Sequence, residues 1–313
     1  HRFDPDCGVL YKLLLNRPFL ETRFSYRWIG FFVGYSNAWH LITRLCARHF
    51  VKALKRLYTM KAPSIPMSPS DLPPCWPAEA IILHIPHAST VLPNDVEFLL
   101  GNEALAYEVD AMTDHTTDLL FYLPGAQRCV FPVSRLVVDP ERFIEDAMEE
   151  VGMGVVYTHT SAGKRLRQIS STQRQHLIDQ YYHPHHQQLT AMACDVLNTH
   201  DRCLIIDCHS FPAEPLDYET DQYRPDICIG TDAFHTLPSL EIYLADAFEE
   251  LGYSVAINSP FAGSLVPLDY YQKDQRVQSV MIELNRGLYS TPKKLSKLKE
   301  QIQQVLMNLT KKE

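Results

Sequence analysis

The stretch Arg202–Pro212 reads RCLIIDCHSFP. Its apolar part is too short for a helix and carries two adjacent isoleucines, so Arg202–Cys208 reads as a buried strand. His209 comes directly after it. A second stretch, AIILHIPHAST at Ala80–Thr90, has the same plan: a short apolar strand over Ala80–Ile85, then Pro86, then His87. In open α/β sheets, ligands bind outside the carboxyl ends of the strands. Two imidazoles presented there could share one metal ion. The bland alternative is that each ring is satisfied by nearby backbone.

Working outward, the same rhythm continues. Strands are expected over Arg128–Val133, Leu136–Asp139, Asp226–Ile229, Ser254–Asn258 and Ser279–Leu284. Helical spacing covers Glu103–Tyr122, Ser171–Asn198 (one long helix or two), Ser239–Leu251 and Thr291–Leu309, and Gly252 supplies a stop for the third of these. Strands alternating with helices imply a three-layer α/β/α fold with a mainly parallel or mixed central sheet.

The first part of the chain does not share this rhythm. Residues His1–Ala62 hold 11 Lys+Arg and 3 Asp+Glu, leaving 18 of the 29 basic and 34 of the 37 acidic residues for the rest. A basic head thus precedes an acidic body. Leu41–Tyr58 has the spacing of a basic amphipathic helix, which reads either as a membrane-surface or targeting segment or as a tail outside the fold. Six prolines between Ala62 and Pro77 mark a linker. Residues 1–66 are therefore expected to be a basic extension outside the fold, and residues 67–313 a single α/β domain.

The acidic body argues against nucleic acid as partner, because phosphate binding needs a basic footprint. No apolar run is long enough for a membrane span, and charges interrupt every candidate signal segment. The 8 cysteines form no CxxC pair, which argues against a thiolate zinc finger. They suit a reducing, cytoplasmic setting.

A zinc site needs a third ligand besides His87 and His209, and an open position for water. Asp110, Asp114 and Asp118 recur at helical spacing and should share one face, with Asp114 ranked first, Asp118 second and His115 as a rival. Glu283 ends the strand in MIELNRGLY. Buried there, it would have a raised pKa suited to taking a proton from water, or it would pair with Arg286. In SRLVVDPER, Arg135 and Arg142 flank Asp139; they could hold an acidic substrate or close internal ion pairs. His186 in the Pro184–His186 tract reads as a helix start sooner than a ligand. Asn258–Gly263 looks like a lid turn.

Eight stretches in order resemble the N-formylglutamate amidohydrolase family: IPHAST (85–90), TDHTTDLLF (113–121), SRLVVDPER (134–142), YYHPHHQQL (181–189), IIDCHSFP (205–212), PDICIGTD (225–232), YSVAINSPFAGS (253–264) and MIELNRGLY (281–289). The resemblance implies a fold similar to zinc carboxypeptidases and one zinc ion held by His87, Asp114 and His209. It implies Glu283 as the base and Arg135 as the group that polarises the scissile carbonyl. Arg142, Arg286 and Asn258 would hold the substrate. The implied reaction converts N-formyl-L-glutamate to formate and glutamate, a step of amino-acid catabolism such as histidine degradation. The alternatives are another N-acyl amino acid or small peptide as substrate, or a metal-binding relative without catalysis. The chain departs from the family pattern at Ser89, where Gly is usual, at His115, where an aromatic is frequent, and at Glu141, where Asn is frequent.

Overall fold

Strand β3 (Cys203–Phe211) is buried at all nine positions, as only a strand covered on both faces can be. It belongs to a computed structural model that describes residues 75–311 except 217, 218 and 220. The basic head, its expected helix and nearly all of the proline-rich linker lie outside the described residues.

Around β3, six strands form one sheet in the order β2-β1-β3-β6-β4-β5. They are β1 (Ile81–Ile85), β2 (Gln127–Val130), β4 (Ile227–Gly230), β5 (Val255–Ile257) and β6 (Val277–Asn285) besides β3. Strands β2, β1, β3 and β6 run parallel; β4 pairs antiparallel with β6 and parallel with β5. The sheet is mixed, as expected. Ile205, Ile206, Val277, Val280 and Ile282 are all fully buried in the seam between β3 and β6. Each such side chain contributes about 1.5–3 kcal/mol by leaving water.

Two registers bring polar residues together within this apolar sheet. The β3–β6 ladder sets His209 beside Glu283, and the β1–β3 ladder sets His84 beside Asp207. The first pair lies near the carboxyl ends of β3 and β6; the second lies near the carboxyl end of β1 and midway along β3.

The helices are α1 (Asn102–Met112), α2 (Thr117–Leu120), α3 (Ser171–Leu177), α4 (His183–His200), α5 (Pro238–Glu250) and α6 (Pro292–Asn308). A capping box of Ser170 and Gln173 starts α3. A π-helical turn over Ile178–Tyr182 joins it to α4, so the expected long helix is two. Helix α6 buries Leu298, Ile302, Val305 and Leu306 along one stripe. No helix among the described residues is long and apolar enough to cross a membrane.

Two expectations are corrected. Glu103–Tyr122 is not one helix: α1 stops at Met112, and Thr116 takes the left-handed conformation at φ 62° before α2 begins. Asp110, Asp114 and Asp118 therefore do not share a helical face. Nor is Leu136–Asp139 a strand. It is a turn in which Val137 N donates to Ser134 O. Its residues are apolar because Val137 and Val138 pack with Phe131 and Val155, while Leu136 packs with Met112 and Tyr157.

Candidate active site

The break between α1 and α2 delivers the third member of the site. Asp114 N donates to His87 O at 3.0 Å, which ties the break to the loop leaving β1. The Asp114 side chain then turns inward, and its Oδ2 accepts from Ser210 N at 3.2 Å. The same oxygen lies 3.1 Å from His209 Nδ1 and 3.6 Å from His87 Nδ1. The two Nδ1 atoms are 3.3 Å apart. All three residues are at least 95% buried.

These donors fit a metal ion. Four donors placed about 2.0–2.1 Å from a tetrahedral zinc are separated by about 3.3 Å, and the three observed separations bracket that value. The far nitrogen of each ring is also held by a carboxylate. His87 Nε2 meets Asp139 Oδ1 at 2.8 Å, and His209 Nε2 meets Asp207 Oδ1 at 3.1 Å. Metal-bound histidines are commonly oriented in this way. Burial alone would lower the His209 pKa, but the charges of Asp207 and Asp114 outweigh it and hold the ring well above its ordinary value. A proton thus neutralises the cluster when no cation does.

Asp139 is the hub of its own network. Its Oδ2 accepts from Arg135 Nη2 at 2.7 Å, Arg135 Nε at 3.2 Å and Tyr157 Oη at 3.0 Å. Burial would raise its pKa; Arg135 and His87 more than offset that and keep it well below the usual range. Sequence reasoning finds Asp139 only as a possible ion-pair partner and does not find Asp207 at all. A signal for Asp207 exists: it lies two residues before His209 in a strand, hence on the same face.

Glu283 lies across the seam from His209 and is 7% exposed. Its Oε2 has no hydrogen-bond partner. Burial pushes its carboxyl up to about 8, against the pull of the nearby His209 charge. Among the described residues no ion pair joins it to Arg286. That arginine donates instead to the carbonyl of Ala111 at 2.9 Å, and its Nε is left without a partner.

His87, Asp114, His209 and Glu283 open onto a cleft of about 360 Å³ that Arg135, Arg142 and Arg286 also line. The remaining candidates stand elsewhere. Asp118 is outside the cluster, and His115 is held by Asp110 at 3.0 Å. His186 Nε2 donates to Pro140 O at 2.9 Å, and burial lowers its pKa to about 4. Asn258 does not line the cleft. In the left-handed region at φ 54°, it is bound on both sides to Thr231. Ser89 pins the loop after β1 by donating to Pro132 O at 2.8 Å. Glu141 lines the cleft, and burial, reinforced by the Asp207 charge, pushes its carboxyl well above the ordinary range.

A mixed α/β sheet with a His–Asp–His cluster at its strand ends, and a buried carboxylate opposite, defines a candidate metal-dependent active site. The N-formylglutamate amidohydrolase family model matches residues 79–290, and the chain belongs to that family. It is similar to the crystal structure of N-formylglutamate amidohydrolase from Ralstonia eutropha JMP134, with a TM-score of 0.65 and 21% identity over 76% of this chain and 95% of that one. It is also similar to the structure of a gene product from Agrobacterium tumefaciens, with a TM-score of 0.55 and 18% identity over 74% and 92%. No curated protein matches.

Proposed function

We propose that residues 67–313 hydrolyse the N-formyl amide of an acidic amino acid, most simply N-formyl-L-glutamate to formate and L-glutamate, with zinc held by His87, Asp114 and His209. The observation that carries this reading is Glu283: buried, with one carboxylate oxygen unpartnered, beside the three-donor cluster. Bound in that cluster, zinc would act as a Lewis acid toward the amide carbonyl and toward water.

The protein's own groups supply the rest. Glu283, with its pKa raised to about 8, takes a proton from the attacking water and returns it to the leaving amine. A base with a pKa near the working pH does this best. Arg135, fixed by its paired bonds to Asp139, presents positive charge to the carbonyl oxygen. Arg142 and Arg286 are the partners for the substrate carboxylates, through fork-shaped hydrogen bonding. Cys75, Cys129, Cys194, Cys203, Cys208 and Cys228 are all free thiols, which supports a cytoplasmic setting.

A second reading keeps the chemistry and enlarges the acyl group. Behind Glu141, Arg142, Ala262 and Met281 lies another cavity of about 270 Å³, lined partly by Leu265, Val266 and Tyr271. A bulkier N-acyl amino acid would use that space.

The test is formate release from N-formyl-L-glutamate by zinc-loaded protein, with and without chelator. Release that the chelator stops supports the first reading. Zinc-loaded protein that spares the formyl compound but cleaves longer N-acyl glutamates supports the second. Cleavage of neither would refute both.

A further inference from the structure

A second set of donors shares His209 with the first, and the amide hydrolysis leaves it unused. His84 stands beside Asp207 in the β1–β3 register, and both are fully buried. His84 Nδ1 is 2.8 Å from Asp207 Oδ1 and 3.3 Å from Glu141 Oε1. His209 Nε2 is 3.1 Å from the same Asp207 oxygen and 3.9 Å from the same Glu141 oxygen. Asp207 Oδ1 and Glu141 Oε1, from β3 and the turn after Asp139, thus each lie within 3.9 Å of both ring nitrogens. Their separations again bracket the edge of about 3.3 Å expected around a tetrahedral zinc.

Two further features point the same way. Glu141 Oε1 is buried and makes no hydrogen bond. It also feels the Asp207 carboxylate, and like charges repel unless a proton or a cation lies between them. Two imidazole nitrogens and two carboxylate oxygens make a donor set that suits zinc and related divalent ions.

We propose that His84, Glu141, Asp207 and His209 form a second divalent-cation site, bridged to the first through the His209 ring. This deepens the proposed function and rests on the first ion being held by His87, Asp114 and His209. The His209 ring offers Nδ1 to one ion and Nε2 to the other. An imidazole bound at both nitrogens keeps no N–H proton, so filling both sites releases the ring's last proton to solvent. His84 must bind through Nδ1 and donate from Nε2. His185 Nε2, 2.9 Å from His84 Nε2, is the acceptor for that proton. The pair of buried histidines beneath the site thereby gains a purpose.

The experiment counts zinc. The full chain is stripped with a chelator, incubated with excess Zn²⁺, desalted and measured by atomic emission. Two zinc ions per chain are expected for the wild type and one for Glu141→Gln, with H84N as a second variant that should also hold one. Thermal melts show whether each variant is folded; if neither folds, the wild-type count decides, with two ions supporting the site and fewer overturning it. One ion in wild type and variants alike, or two in all of them, overturns the proposal. Cleavage of N-formyl and longer N-acyl glutamates is read separately, so a protein with two zinc ions that cleaves neither refutes the amidase reading and keeps this one.

Discussion

His209 and Asp114 reach the same point by opposite means. His209 is carried by the β3–β6 ladder, nine residue pairs long from Cys203↔Val277 to Phe211↔Asn285. Asp114 sits where a helix fails, secured by one backbone bond to His87 and by its own side-chain contacts. Regular pairing fixes position through many small contributions, so no single one decides it. A helix break concentrates the same task in a few atoms. Removing a residue that supports the ladder should therefore cost stability, whereas removing one that supports the cluster should cost function first.

The largest effect expected tests the ladder's chemical end. Glu283→Gln should lower kcat by about 100- to 10,000-fold while zinc content, measured on the same sample, is unchanged. Retained turnover would remove Glu283 as the base. Next comes the ladder itself. Ile282→Ala, at a fully buried position, should cost about 2–5 kcal/mol in urea unfolding, with zinc affinity little altered once folded. A loss below about 1 kcal/mol, less than an ordinary core truncation, would mean that the seam is less rigid than its packing suggests.

Asp139→Asn keeps the fold but weakens the grip on His87, and zinc affinity should fall about 10- to 100-fold in a competition titration against a coloured chelator. An unchanged affinity would show that the ring needs no such orientation.

Acid gives a smaller, graded test. Burial lowers His185 to about 2 and His186 to about 4 in the folded protein, against an ordinary 6.5. The unfolded chain takes up these protons first, so their contribution to stability is whole above pH 6.5 and erodes as pH falls from there, toward 4 for His186 and toward 2 for His185. His186→Gln should flatten that slope in unfolding curves collected at successive pH values; an identical slope would acquit His186. The least effect belongs to the break. Thr116 pays for its left-handed backbone, and Asn tolerates that region better. Thr116→Asn should gain up to about 1 kcal/mol and leave turnover alone, and any loss of stability would contradict the idea of strain there.

The same contrast explains what could be read from the sequence. The sheet was legible because buried parallel strands are continuous apolar runs, and IILHI and CLIID stand out as such. His87, His209 and Glu283 were legible as polar residues ending those runs. Asp114 stood among three carboxylates, but the helix spacing that drew attention to it was misleading: the periodicity of Glu103–Tyr122 gives no sign that the backbone turns at Thr116. Leu136–Asp139 looked like a strand because a buried turn and a buried strand are equally apolar. The orienting roles of Asp139 and Asp207, and the use of Asn258 to hold Thr231, depend on partners distant along the chain. Those are set by the fold and leave no local pattern.

The ladder also constrains how this protein can change length. Side chains alternate along β3, so Asp207 and His209 share one face. Deleting one residue between Cys203 and Ile206 without a matching loss elsewhere would shift the pairing and swing both side chains to the opposite face of the sheet. A deletion of two would restore the faces but draw the imidazole one pleat further from Glu283. Descendants of this gene can therefore change the length of an exposed surface loop far more freely than that of this strand.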